Sequence, residues 1–500
     1  MERDLRSPYC HPRFIHIGKD TNFTNWLPAA GRGRAGTPAF TLCLRFAVKP
    51  GAMNAPLPSR LDADAAAFPY DTRPRSAVSG MTGVAGLAGL FAWVVAARAY
   101  GMAGPLAALT ACLACAVPMV LWSVLVDKVH RNSSTGIDWD RAPRSLKEVG
   151  DISLAKIAGL WGIWAIIGGL YCLGRFYWEG GYLFSMYVLG YGIVPMLALS
   201  VPYVLWLDRR LIEPKDGAWH FGQFLIGRPE RADRTQLHHF FRAWAVKGFF
   251  LAFMISIVPG NWWYVISTGS AAIVANPVEL AFWLIGVMFM IDVVFATVGY
   301  VLTMKPLDAH IRSANPHAAG WTAALICYPP FVLMGEGGPL NYYPGSAGEN
   351  GWTYWLADYP LVSALMGGWL ILLTGIYAWA TVAFGFRFSN LTHRGILTHG
   401  PYAWTKHPAY VAKNLFWWCA VLPFLAVGGS MVDMIRNTAI LAMVSGVYYW
   451  RARTEERHLS EDPAYVAYSA WMDRNGPLPR LVNRLKPKWA RPPAESVAAE

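Results

Sequence analysis

AFWLIGVMFMIDVVFATVGYV, residues 281–301, decides the class of fold. As a helix it crosses the roughly 30 Å hydrocarbon layer of a bilayer, and it carries one charge, Asp292. Outward from it, from Ser76 onward, uncharged stretches of comparable length alternate with short charged ones. We expect about ten spans, centred near Phe91, Cys112, Trp164, Leu197, Phe253, Val287, Cys327, Ile371, Trp418 and Met443. The last stretch, Asn437 to Trp450, is short, and with the Trp418 stretch it reads as a hairpin that need not cross independently. The expected fold class is all-α: a polytopic membrane protein with about ten transmembrane helices and both termini in the cytosol.

Composition agrees. The 500 residues are 55% hydrophobic and only 15% charged, with a mean hydropathy of +0.29, too apolar for an ordinary soluble chain of this length. The 24 Trp and 23 Tyr suit the two membrane interfaces. A net charge of +12 would draw nucleic acid if it formed one soluble face, but the Lys and Arg residues lie between apolar runs, so no nucleic-acid partner is expected. Seven cysteines, most within apolar stretches, do not read as a disulfide framework. Cys112 and Cys115 form a C-x-x-C with no second pair, which favours helix packing over zinc.

Four regions follow. Residues 1–75, rich in Arg, Gly, Pro and Ala, read as disordered and without a cleaved signal peptide, Met53 being an alternative start. Residues 76–384 form a membrane domain of about eight spans. Residues 385–485 carry the chemistry, and 486–500 read as a flexible tail. With the N-terminus in the cytosol, the basic clusters of 128–147, 209–242, 305–312 and 387–406 all fall on the cytosolic side. The opposite loops hold little beyond Arg98, Arg175 and Arg436. The positive-inside rule is thus satisfied at nearly every turn, as for a bacterial inner membrane or its equivalent.

Asp292 lies well inside its span. A carboxylate at that depth is costly unless paired, hydrated or protonated, which makes it a functional candidate. The plainer reading is a packing partner for a Ser, Thr or Tyr on a neighbouring span.

The chemistry-bearing stretch is HGPYAWTKHPAYVAKN, His399 to Asn414, followed after the hairpin by YYWRARTEERHLSEDPAYVAY, Tyr448 to Tyr468. Gly400 and Pro401 set a turn at the membrane surface, and Pro408 biases His407 away from helix. Arg451 and Glu455, four apart, share a helix face, and Glu456 lies about 100° round from Glu455. Taken singly, Lys406, His407 and Arg451 read as interfacial anchors. Together, at the cytosolic ends of adjacent helices joined by a short hairpin, they should lie close in space.

Here the chain resembles the integral-membrane methyltransferases that include isoprenylcysteine carboxyl methyltransferase and phosphatidylethanolamine N-methyltransferase. Their pattern is roughly G-x-Y-x-x-x-R-H-P-x-Y-x-G, a helical hairpin, then R-x-x-x-E-E-x-x-L and Y-x-x-Y. This chain supplies Gly400, Tyr402, His407, Pro408 and Tyr410, then Arg451, Glu455, Glu456 and Leu459, then Tyr465 and Tyr468. Lys406 stands where Arg is usual, keeping the charge without the bidentate fork, and Ala412 stands where Gly is common. The likeness covers roughly the last 120 residues. It implies an S-adenosylmethionine site formed by Gly400, Tyr402, His407, Pro408, Tyr410, Glu455 and Glu456, with Arg451 orienting a lipophilic acceptor that enters from the bilayer. Carboxylates can accept from the cofactor's ammonium and ribose hydroxyls, His or a backbone N–H can bind its carboxylate, and an aromatic can cover adenine. No metal is required. A carboxylate acceptor needs no base; a thiol or amine does, for which His407 or His399 is available.

Two other readings stand beside this one. An NADPH-dependent membrane reductase of the sterol type also resembles a ten-span protein with an arginine–histidine loop, a hairpin and an acidic tail. A transporter or non-catalytic scaffold would rest on Asp292. The His238–His239 pair and His310 lack the repeated spacing of a di-iron site.

Overall fold

The computed structural model describes residues 73–333, 340–342, 351–425, 430–477 and 480. The expected segment 1–75, but for its last three residues, and the tail 486–500 lie outside these. The described chain is almost entirely helical: α1 (Gly80–Tyr100), α2 (Pro105–Leu121), α3 (Leu146–Leu173), α4 (Gly180–Asp208), α5 (Gly217–Leu225), α6 (Arg234–Ser267), α7 (Ser270–Ala275), α8 (Pro277–Val301), α9 (Ala318–Leu325), α10 (Trp352–Trp355), α11 (Pro360–Phe384), α12 (Pro408–Val421), α13 (Met431–Leu459) and α14 (Pro463–Asn475). A two-residue antiparallel ladder pairs β1 (Ser313–Ala314) with β2 (Thr392–His393).

Among the described residues, 7 helices are long and apolar enough to cross a membrane: α1, α2 with its π-helical extension to Val126, α3, α4, α6, α8 and α11. This is a multi-pass membrane protein. Large apolar side chains such as Leu113, Tyr191, Leu199 and Leu361 are exposed on it, as a lipid-facing surface requires.

Three of the expected centres behave differently. Cys327 lies just beyond α9, which has only 8 residues. α12 has 14 residues. α13 has 29, but its last turns, from Arg451 to His458, are charged. The Cys327 stretch nevertheless has to return the chain from one end of the bundle to the other. Gly367 packs on Ala281 near the starts of α11 and α8, and Phe388 packs on Gly299 near their ends, so the two helices run parallel. The expected continuous span is replaced by a helix of about 12 Å followed by turns through Phe331. Irregular backbone at such depth is tolerated where protein buries it or a cavity opens beside it.

Helices approach closely where glycines allow it. A Cβ on Gly89 of α1 would collide with the Ala114 carbonyl of α2, and Gly159 and Gly222 play the same part between α3 and α5. Cys112 and Cys115 are free thiols on α2, Cys115 buried in that packing. One apolar core fills the space between α1, α2, α6 and α8 around Phe250, Trp262 and Phe295. A second joins α8, α11, α12 and α13 around Leu370, Phe416 and Leu441. α8 is the wall they share.

The basic loops gather at one end and are tied there by Asp308. Asn132 Nδ2 and Ser134 Oγ donate to its carboxylate at 2.9 and 2.8 Å, Arg387 Nη2 at 3.0 Å, and Arg312 stands 3.5 Å away. Burial pushes the Asp308 carboxyl up, but Arg387, the two hydrogen-bond donors and Arg312 outweigh it and hold the group below its ordinary value. Arg394 donates to the carbonyls of Gly299, Leu302 and Ala309, capping the C-terminus of α8. At the other end Arg98 does the same for α6 through Val265 and Thr268.

Candidate functional site

The loop between α11 and α12 is shaped by residues that cannot continue a helix. Gly400 has φ +58, a left-handed value that favours glycine, and begins a single 3-10 turn, Gly400–Ala403. His407 is non-helical, with φ −132 and ψ 60, and Pro408 is the first residue of α12. The loop is anchored from both sides. Ser76 Oγ is hydrogen-bonded to His399 Nδ1 at 2.8 Å, and Thr398 Oγ1 donates to Pro74 O at 2.7 Å. Lys406 Nζ donates to Ser469 and Asp473 of α14, and Tyr468 Oη donates to Tyr402 O. Lys406, where the likeness expects Arg, is thus a tie to α14.

Across the loop stands α13. His407 Nε2 donates to Glu456 Oε1 at 3.0 Å, and Arg453 Nη1 holds the other oxygen at 2.6 Å. The hydrogen bond from His407, opposed by burial and helped by the charges of His407, Lys406 and Arg453, keeps the Glu456 carboxyl below its ordinary value. Glu455 accepts from Tyr410 Oη, and its second oxygen lies 3.9 Å from His407 Nδ1. The rings of His407 and Tyr410 are parallel within 6°.

His407, Tyr410 and Glu455 border a cleft of about 180 Å³. α13 contributes Tyr448, Arg451, Glu455 and His458 to its wall, one side chain per helical turn. Chemistry therefore changes along the cleft from aromatic to cation to carboxylate to imidazole. α11 adds Tyr377 and Thr381, and α12 adds Tyr410 and Lys413. Arg451 is 4% exposed and lies over the rings of Tyr410, Tyr448 and Tyr328 at 5.2, 5.4 and 5.7 Å. Its Nη2 donates to Asn390 Oδ1 at 3.3 Å, and Asn390 Nδ2 donates to Tyr328 Oη. Arg451 Nε is buried with no partner, as is Tyr465 Oη at the carboxylate end. Burial, reinforced by nearby His393, His317, Arg242 and His239, pushes the His458 imidazole down to about 4. It is hydrogen-bonded to Ser313 Oγ at 2.9 Å.

Of the residues singled out from sequence, Tyr402, His407, Tyr410, Arg451 and Glu455 line the cleft. Gly400 and Pro408 shape the loop behind it, and Glu456 braces His407. Asp292 sits one bond behind the wall: Tyr377 Oη and Thr381 Oγ1 donate to its two oxygens at 2.6 and 2.5 Å. Sequence reasoning missed Tyr448, which a reading of the i, i+3, i+7 stripe through Arg451 and Glu455 would have found, and Lys413, which lies one turn beyond Tyr410 on α12. It also missed Tyr328 and Asn390, which come from irregular backbone and leave no periodic signal. Among the described residues no group of three or more His, Cys, Asp or Glu side chains could hold a metal ion.

Comparison with known proteins adds a boundary and no activity. Neither the curated proteins nor the solved structures contain a match to this chain. A family model described as a protein of unknown function (DUF1295) matches residues 362–471, the stretch from α11 through most of α14 that builds the cleft.

Proposed function

We propose that this protein transfers a methyl group from S-adenosylmethionine to a lipophilic acceptor, in a cleft facing the cytosol. The observation that carries the proposal is the ordered stripe on α13, carboxylate beside cation beside aromatics, facing His407 and Tyr410 across one cleft. The residues present fit such a cofactor. The less engaged oxygen of Glu455 can accept from an ammonium or a ribose hydroxyl, the buried Tyr465 hydroxyl has no partner, and Arg451 Nε is a buried donor without an acceptor. When bound, the cofactor supplies an electrophilic methyl on a sulfonium. The chain supplies orientation and dryness: Tyr402 and Tyr410 give aromatic cover, Glu456 and Arg453 hold His407, and the Tyr328, Tyr377 and Tyr448 end offers the acceptor an apolar approach.

The sterol-type reductase reading has less support. A dinucleotide needs several cations for its phosphates, and of the three buried arginines of the cleft wall Arg387 and Arg394 are already engaged by Asp308 and by backbone carbonyls, which leaves Arg451.

The test is to incubate membranes with methyl-labelled S-adenosylmethionine and follow label into lipid, protein and volatile fractions. Label that enters one fraction and disappears with Glu455→Gln is expected. Labelling that is indifferent to Glu455 would sink the proposal.

A further inference from the structure

We propose that Asp292, acting through Tyr377, accepts the proton of an acidic acceptor, a thiol or phenol, at the inner end of the cleft. The choice of acceptor rests on the methyl-transfer reading; the proton path rests on geometry alone. Tyr377 and Thr381, one turn apart on α11, both line the cleft, and both donate to Asp292 on α8, which does not line it. A phenol that donates its proton to a carboxylate keeps its oxygen lone pairs free to accept another. A proton can therefore enter at Tyr377 and leave for Asp292 with no movement of backbone.

The surrounding charge selects the acceptor. Arg451 lies over Tyr448 and Tyr410 on the same inner stretch of the cleft as Tyr377. The Arg451 guanidinium lowers the cost of an anion formed there and opposes an amine that becomes cationic on methylation. A carboxylate is already ionised at neutral pH and has no use for a base. A thiol or phenol uses both parts of the arrangement. In the step, the X–H bond of the acceptor breaks with its electron pair left on X. The proton passes to Tyr377 Oη as the Tyr377 proton passes to Asp292 Oδ2, leaving an anion near Arg451 and a neutral carboxylic acid behind the wall.

Infrared difference spectroscopy on the purified full-length protein in detergent tests the proton path without turnover. The probe is dodecanethiol, with dodecanoate as the ionised control. Dodecanethiol is expected to raise the carbonyl band of a protonated carboxyl group in the wild type, and not in Asp292→Asn or Tyr377→Phe; dodecanoate is expected to raise none. A wild type that gives no band with dodecanethiol, or that shows the Asp292 band before the probe is added, overturns the proposal. In labelled-methyl assays, transfer to dodecanethiol should fall roughly 100-fold in Asp292→Asn and recover as rising pH ionises the thiol unaided. Transfer to dodecanoate should not change. Tyr377→Phe, which leaves the carboxylate in place, serves if Asp292→Asn fails to fold. Titration with S-adenosylmethionine on the same samples separates the two ideas: a wild type that binds no cofactor defeats the methyl-transfer reading, while the infrared band still decides the proton path.

Discussion

Asp308 and Glu455 are both carboxylates near the basic end of the bundle, each facing an arginine-bearing element, and they are treated in opposite ways. Asp308 is 2% exposed and saturated, with two hydrogen-bond donors and two arginines from three separate segments. Around Glu455, Arg451 Nε and Tyr465 Oη are buried and unanswered. A polar group buried without a partner costs about 1–3 kcal/mol, so the two clusters differ in how far the chain itself satisfies them. The first is cement; under the methyl-transfer proposal the second is a receptor.

That contrast is open to attack in order of expected effect. Asp308→Asn leaves Arg387 buried without its counter-ion and should destabilise the protein by about 3–5 kcal/mol, read as a fall in the thermal unfolding midpoint in detergent. The depressed Asp308 carboxyl also gives a pH signature. Its contribution is fully present above the unfolded carboxyl value of about 3.9 and is lost as pH falls through the lower folded value. The variant should therefore unfold in acid with a shallower dependence on pH than the wild type. If Asp308→Asn melts with the wild type, the cement description is wrong.

Glu455→Gln should do the reverse, weakening S-adenosylmethionine binding by roughly 10–100-fold, the worth of a charge-assisted hydrogen bond, with little change in melting. Isothermal titration beside a thermal scan would show it. Glu456→Gln should weaken binding only a few-fold, about 1 kcal/mol or less, because Glu456 acts by holding His407 and does not itself line the cleft. A larger effect from Glu456 than from Glu455 would reverse their assigned parts. Lys406→Met should be the mildest, under about 1 kcal/mol of stability, since its partner Asp473 is largely exposed.

Much of this was legible in the chain before any coordinates. Length and hydropathy locate the long helices, because a bilayer imposes one constraint on every span. The turn at Gly400, the break at Pro408 and the Arg451–Glu455 face follow from local stereochemistry. Arg387 and Arg394 were not legible in the same way. A count of basic residues by side treats them as topology signals, whereas both are buried at 3% exposure, one on Asp308 and one on the end of α8. The Cys327 stretch misled for a related reason. Its hydropathy is that of a span, but its depth is reached through contacts with α8, α11 and α13 that no window along the sequence can register. Tyr328 and Asn390 reach Arg451 only because of that arrangement.

The parallel course of α8 and α11 bears on how the protein is made. A growing chain enters a membrane as successive helices of alternating direction, and an apolar helix of 8 residues is too short to partition by itself. The stretch from α9 through Phe331 can therefore take its place only after α11 has arrived to hold it. Tyr328, emerging from the ribosome before α11, becomes a wall of the cleft only after it, so the cleft is among the last parts of the molecule to be assembled.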